Sequence, residues 1–261
     1  MYYSIANIII KVEKIALNRD WELFKANGEK SYQLECVGCD NPEIVHGMEC
    51  FVLKRNIKHI TRVEREVMLS DEKWTSNFIL PPYNYKIITS FFLQAFYTQA
   101  VYEKMLQFHA ALVQYRNSGL MFLGPSGIGK TTQAQIWNRY KNAIIINGDI
   151  TFVQETPDAF LGWGTPWHGS SPYCENTSVP VKALIVLKQA QENSIRELIG
   201  FEKVTAVSNN VFYPRWLEGG MELCLETLNH LLSALPVYEL SCRPDEEAVR
   251  LTEEVVFGGS V

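Results

Sequence analysis

The chain has 261 residues, 47% of them hydrophobic and 20% charged, an ordinary composition for a soluble protein of one large domain or two modest ones. Its net charge of −5 argues against a nucleic-acid partner, because such proteins need a basic field to displace the counterions of phosphate. No basic block or cationic amphipathic helix points to a membrane surface, and the opening Met1-Tyr2-Tyr3-Ser4 lacks the charged region of a signal peptide, so a cytoplasmic location is the default expectation.

Residues 1–80 read as short β-like runs over 3–12, 32–37, 49–54 and 59–67, with turns at Asn27-Gly28 and Asp71-Glu72. Cys36-Val37-Gly38-Cys39, followed by His46 and Cys50, has a spacing that zinc can use. The same stretch also reads as a turn between strands, since no second CxxC or His pair completes a ligand set. Cys174, Cys224 and Cys242 read as core thiols. Pro81-Pro82 then punctuates the chain, and a helix is expected over 84–107.

The second half opens with a strand over 109–115, a turn over 116–119 and a strand over 120–123. A helix over 131–140, a buried strand over 143–146 and further strands over 151–154, 160–163 and 181–187 follow. A helix over 220–234, a strand over 237–241 and a helix over 244–256 close the chain; Pro244 suits the first helical position, with acids after it. The expectation is an α/β (α+β) protein: a β-rich N-terminal unit (1–83), a connecting helix (84–107) and a core with a mixed sheet (108–261).

The strand over 120–123 runs into Gly124-Pro125-Ser126-Gly127-Ile128-Gly129-Lys130-Thr131, which fits the phosphate-loop pattern G-x-x-x-x-G-K-[ST] at every defined position. Glycines let consecutive backbone N–H groups converge on phosphate oxygens, and the helix that follows aims its partial positive charge at the same anion. Gly124, Ser126, Gly127, Ile128, Gly129, Lys130, Thr131 and Thr132 are therefore the candidate nucleotide-binding residues. Lys130 would reach the outer phosphates, and the Thr131 hydroxyl would help hold Mg²⁺. Backbone contacts read phosphate and not the base, so ATP and GTP are not distinguished.

Asp149 ends the strand that follows the loop helix. A carboxylate there suits a second Mg²⁺ ligand or a base for an attacking hydroxyl; a plain Gly-Asp turn is the alternative. His109 heads the strand paired to the one that enters the loop, and reads as a core histidine or as a catalyst. Residues 162–171 gather glycines, two tryptophans, a histidine and hydroxyl residues, which suits a binding loop. Gly164, Thr165, Trp167 and His168 are its candidate substrate contacts, against a crossover whose tryptophans pack inward.

These residues together resemble the HPr kinase/phosphorylase and phosphoenolpyruvate carboxykinase-like phosphate-loop group, above all its short bacterial members such as serine kinases of lasso-peptide precursors. The resemblance spans roughly 109–257. It rests on the His-Ala-Ala-Leu-Val hairpin before the loop, the loop itself, and Asn147-Gly148-Asp149. Gly164-Thr165-Pro166-Trp167, Ser178-Val179-Pro180-Val181-Lys182-Ala183 and the Ser241-Cys242-Arg243-Pro244-Asp245 region add to it. It implies a carboxykinase-like core and an ATP- and Mg²⁺-dependent kinase acting on a serine-type hydroxyl of a peptide or protein. His109, Lys130 and Asp149 would be its catalytic residues, and Thr131 and Asp149 its metal ligands.

The chain departs from the group in having Gly148 where many relatives carry a first acid. One carboxylate then serves two duties, or His109 or His168 supplies the base. The loop characteristic of true HPr kinases is not recognisable, so HPr is a poor expectation for the substrate. A small-molecule kinase, with Lys182, Arg215 or Arg243 for a substrate carboxylate, and a nucleotide-binding pseudokinase or regulatory module remain alternatives. No Arg-rich lid of a nucleoside-monophosphate kinase follows the loop. The N-terminal unit carries no motif, its edge strands suit β-augmentation by a peptide, and the oligomeric state is open.

Overall fold

The computed structural model describes residues 1–27, 31–39 and 55–258 of an α/β protein with two mixed sheets, divided into two units, Met1–Tyr102 and Glu103–Val261. In the first unit, β1 (Tyr2–Ile5) and β2 (Ile8–Glu13) form a hairpin around Ala6 (φ 46°) and Asn7 (φ 65°). Two consecutive positive φ values are what a two-residue type I′ turn requires, so the run expected over 3–12 is two strands. The run expected over 59–67 likewise divides into β4 (Ile57–Val63) and β5 (Glu66–Asp71), turning at Glu64 (φ 53°).

With β3 (Leu34–Gly38) and the unforeseen β6 (Ser76–Leu80), these strands form a sheet of order β1-β2-β3-β6-β5-β4. It is parallel at β2–β3 and β3–β6 and antiparallel elsewhere. Helix α1 (Tyr85–Ala100) lies against β2, β3 and β5, and Trp21 meets Phe92 and Tyr3 edge-on with ring centroids 5.7 and 5.3 Å apart.

The strand expected over 49–54, the glycine of the Asn27-Gly28 turn, His46 and Cys50 lie outside the described residues. Cys36 and Cys39 are buried. Burial pushes the Cys36 thiol up, away from the thiolate that zinc needs.

The helix expected over 84–107 ends at Ala100, because residues 105–107 already belong to β7 (Met105–Tyr115), where strand pairing overrides local helical preference. In the second unit, β7 turns at Arg116 (φ 49°) and Asn117 (φ 57°) into β8 (Ser118–Leu123). After the phosphate loop come α2 (Lys130–Lys141), β9 (Ile144–Asn147), β10 (Ile150–Glu155), β11 (Phe160–Trp163) and β12 (Ser178–Gln189). Then follow β13 (Ser194–Glu197), α3 (Gly200–Ser208), β14 (Val211–Phe212), α4 (Gly220–Ala234), β15 (Val237–Cys242) and α5 (Glu246–Phe257). Helix α5 does not start on Pro244. Asp245 is its N-cap, its carboxylate accepting from the Ala248 N–H at 3.1 Å.

The main sheet runs β11-β10-β7-β8-β12-β15-β13, with β9 and β14 added to β7. The neighbouring pairs β8–β12 and β12–β15 are parallel, so the phosphate loop leaves a strand with an antiparallel partner on one side and a parallel one on the other. Strand β7 changes partners midway. Residues 105–109 pair with β10, whereas Leu112, Val113 and Gln114 pair with β9. Beneath the loop, Trp137 of α2 is packed with Phe122, Ile185, Leu240 and Val249. That burial fixes α2, and with it the loop's exit, on the sheet.

Candidate phosphate-loop site

Gly124, Gly127 and Gly129 have φ of 140°, 80° and 113°, values that a side chain would strain, so the loop's path depends on them. Gly129 is the N-cap of α2, and no side chain caps that end of the helix. Lys130 is 6% exposed, and its Nζ donates to the carbonyls of Gly124 (3.0 Å) and Pro125 (3.3 Å), curling back over the loop. Burial pushes its pKa down and Asp149 pulls it partly back. Ser126, Gly127 and Thr132 are exposed, while Ile128, Gly129 and Thr131 are half-buried.

The partner change in β7 brings His109 and Asp149 together. Ile150 is in register with His109, the Ala110 N–H donates to the Asp149 carbonyl at 2.9 Å, and His109 Nε2 lies 3.0 Å from Asp149 Oδ1. Burial lowers the His109 pKa and Lys130 lowers it further, against an opposing pull from Asp149. A carboxylate only accepts, so the His109 Nε2–H is the donor in this contact. Thr131 Oγ1 donates to the Gly148 carbonyl at 3.2 Å, which brings the start of α2 to the residue next to Asp149. The fold thus brings Lys130, Thr131, His109 and Asp149 together.

Residues 164–171 are organised from within. Asn147 is fully buried, and its Nδ2 donates to the carbonyls of Thr165 and Trp167, each at 3.1 Å. Its Oδ1 accepts from the N–H groups of Asp149 (2.9 Å) and Ile150 (3.0 Å). One side chain therefore fixes both the loop and the backbone that aims Asp149. Thr165 is fully buried with its hydroxyl donated to the Ile150 carbonyl at 2.9 Å, Trp167 is 6% exposed, and Gly164 lies under the Glu175 backbone. These three fasten the loop. His168 is half-buried, its Nδ1 paired with the Ser171 carbonyl.

Two glycines make room for that loop. A Cβ at Gly148 would overlap Ser171 Oγ and lie 2.5 Å from Ser171 Cβ. The space for a first acid is thus filled by a serine. Gly169 (φ 61°) packs on the Asp149 carboxylate, where a Cβ would overlap Oδ2 and lie 2.8 Å from Cγ.

Sequence reading missed Asn210 and Phe212. Asn210 is 8% exposed; its Oδ1 accepts from the Gly124 N–H and its carbonyl from the His109 N–H, both at 2.9 Å. It joins the start of the phosphate loop to the histidine strand. The Phe212 ring lies 6.3 Å from the His109 ring. Neither belongs to a local motif. The only sequence signal is the apolar-aromatic run Val211-Phe212-Tyr213 after two asparagines.

The hydroxyl of Thr131 and the carboxylate of Asp149 are hard oxygen donors on adjacent backbone, a set that fits Mg²⁺ and not a softer metal. The fold and site define an α/β protein with a phosphate loop facing a carboxylate–imidazole pair. No protein-family model matches the chain, and no curated protein matches it in sequence. Among solved structures it is similar to the HPr(Ser) kinase/phosphatase from Coxiella burnetii, at 12% identity and a TM-score of 0.35, over 58% of this chain and 88% of that one. Among the described residues, no helix is long and apolar enough to cross a membrane.

Proposed function

We propose that the chain is an ATP- and Mg²⁺-dependent kinase that transfers a phosphoryl group to a serine-type hydroxyl on a peptide or protein. The observation that carries the proposal is the 3.0 Å contact of His109 with Asp149 beside the phosphate loop. A triphosphate in the loop would lie on the loop's backbone N–H groups and on Lys130, which must leave the Gly124 and Pro125 carbonyls to reach it. Thr131 and Asp149 would hold Mg²⁺, which neutralises charge on the transferred group. Asp149 takes the proton from the acceptor hydroxyl, and His109 holds the carboxylate in place by donating to Oδ1.

A second reading, a nucleotide-binding module without transfer, draws on Ser171 filling the space beside Gly148, which leaves one acid where two duties fall. Incubation with γ-labelled ATP, Mg²⁺ and serine-containing peptides encoded near the gene, with free serine as control, separates these readings. Label on a peptide supports the proposal, label on free serine redirects it to a small-molecule kinase, and no label with intact ATP binding refutes transfer.

A further inference from the structure

The phosphate loop has a second neighbour besides the carboxylate. A pocket of about 320 Å³ is lined by Gly127, Ile128 and Gly129, by Thr132 and Gln133 of α2, by residues 187–190 at the end of β12, and by residues 242–244 at the end of β15. That volume falls at the lower end of the roughly 300–1,000 Å³ typical of small-ligand sites. Neither His109 nor Asp149 is among its lining residues. A ligand whose phosphates occupy the loop, with the outer one toward Asp149, would have its other end at this pocket.

The wall is mixed. Ile128, Leu187, Ala190 and Cys242 are apolar, and Gln189 Nε2 reaches the Ile128 carbonyl at 3.4 Å. Arg243 stands at the pocket with its guanidinium paired to Asp245 (3.0 Å) and Glu247 (3.4 Å), a planar cation available to stack on an aromatic ring. Gln133 is 3% exposed. Its Nε2 donates to Cys242 Sγ at 3.1 Å, and its Oε1 has no hydrogen-bond partner. A buried amide oxygen without a donor costs stability, and such a group in a pocket wall invites a ligand that brings the donor.

On the reading of the loop as a nucleotide site, we infer that this pocket takes the purine base and that Gln133 Oε1 selects adenine by accepting from its 6-amino group. Adenine carries a donor at that position, whereas guanine and hypoxanthine carry a carbonyl oxygen. With Nε2 held by the sulfur, Gln133 offers the pocket an acceptor, which pairs with the amino group and repels the carbonyl. The inference goes beyond phosphate recognition: it assigns the base specificity that the loop motif does not encode.

The test is calorimetric binding to the whole chain, with Mg²⁺, of ATP, GTP, inosine triphosphate and inorganic tripolyphosphate. The expected result is ATP tighter than GTP and inosine triphosphate by about tenfold or more, with tripolyphosphate weaker again. Equal binding of ATP, inosine triphosphate and tripolyphosphate overturns the base pocket and leaves the phosphate loop standing. Failure of all four overturns the loop reading as well.

Gln133→Met keeps the length of the side chain and removes its polar atoms, so ATP should fall to the affinity of inosine triphosphate while tripolyphosphate binding is unchanged. A Gln133→Met protein that binds tripolyphosphate normally yet still prefers ATP tenfold overturns the assignment. The wild-type comparison decides the matter alone if that variant does not fold.

Discussion

His109 Nε2 lies 3.0 Å from Asp149 Oδ1 because β7 changes partners from β10 to β9 at that point. The gap between those two strands is the Gly148-Asp149 turn, tied by Thr131 to the start of α2. At this break the imidazole meets a turn, and the turn carries the acid.

Asp149→Asn should therefore separate binding from chemistry. The amide keeps the size of the carboxylate but takes no proton, so phosphoryl transfer should fall about 10²–10⁴-fold while ATP affinity changes only a few-fold. Lys130→Ala should lose both, since Lys130 Nζ is the cation over the loop. Calorimetry beside a γ-label assay checks the pair, and equal turnover by Asp149→Asn and wild type removes the assigned role.

Gly148→Asp tests whether a second acid can stand beside Asp149. Its Cβ would meet Ser171, so the substitution should destabilise by about 1–3 kcal/mol through overpacking. Adding Ser171→Gly should recover most of that loss, although Ser171→Gly alone gains nothing. Urea unfolding of the four proteins gives the coupling, and additive effects would mean that the two positions do not compete for one space.

The loop glycines, Lys130 and Thr131 were legible because their chemistry is local: a tight backbone path and a helix end leave a fixed spacing in sequence. The loop over 162–171 was legible as unusual but not in its use. Thr165 and Trp167 turn inward because Asn147, a neighbour only in space, takes their carbonyls. The hairpins at Ala6-Asn7 and Glu64 were hidden inside longer β-like runs, because Ala and Glu at positive φ carry no turn signal. Helix α1 was overextended because Met105 and Leu106 continue an apolar pattern that only strand pairing interrupts. Asn210 left no trace, since its role depends on tertiary placement beside Gly124.

Asn210→Ala removes the acceptor for the Gly124 N–H, a buried donor at the first turn of the phosphate loop. Leaving that group unpaired costs about 1–3 kcal/mol, and the loop should lose its set shape. ATP and tripolyphosphate should both weaken about tenfold, and Asn210→Asp should weaken them too, because it adds a negative charge beside the loop and replaces the donor held by the Ala206 carbonyl with an acceptor. Equal binding by all three proteins would show that β8 alone fixes the loop.

Glu253 of α5 lies under the far end of α2, where its carboxylate accepts from Tyr115 OH (2.6 Å) and pairs with Lys141 (2.5 Å) and Arg116 (3.2 Å). Burial alone would raise its pKa, but the hydrogen bonds from Lys141 and Tyr115 and the two cations overturn that, holding it below its ordinary value of 4.5. A carboxyl whose folded pKa is depressed stabilises the fold above its unfolded value and stops doing so as pH falls through the folded one. Glu253→Gln should therefore cost about 1–3 kcal/mol at neutral pH, toward the lower end because the Arg116 side chain is 47% exposed. The gap between variant and wild type should stay constant down to about pH 5 and close below it, as the wild-type carboxyl protonates. Urea midpoints measured from about pH 7 to pH 3 check this, and a gap that is unchanged at the acid end would place the stabilisation in packing and not in the charge.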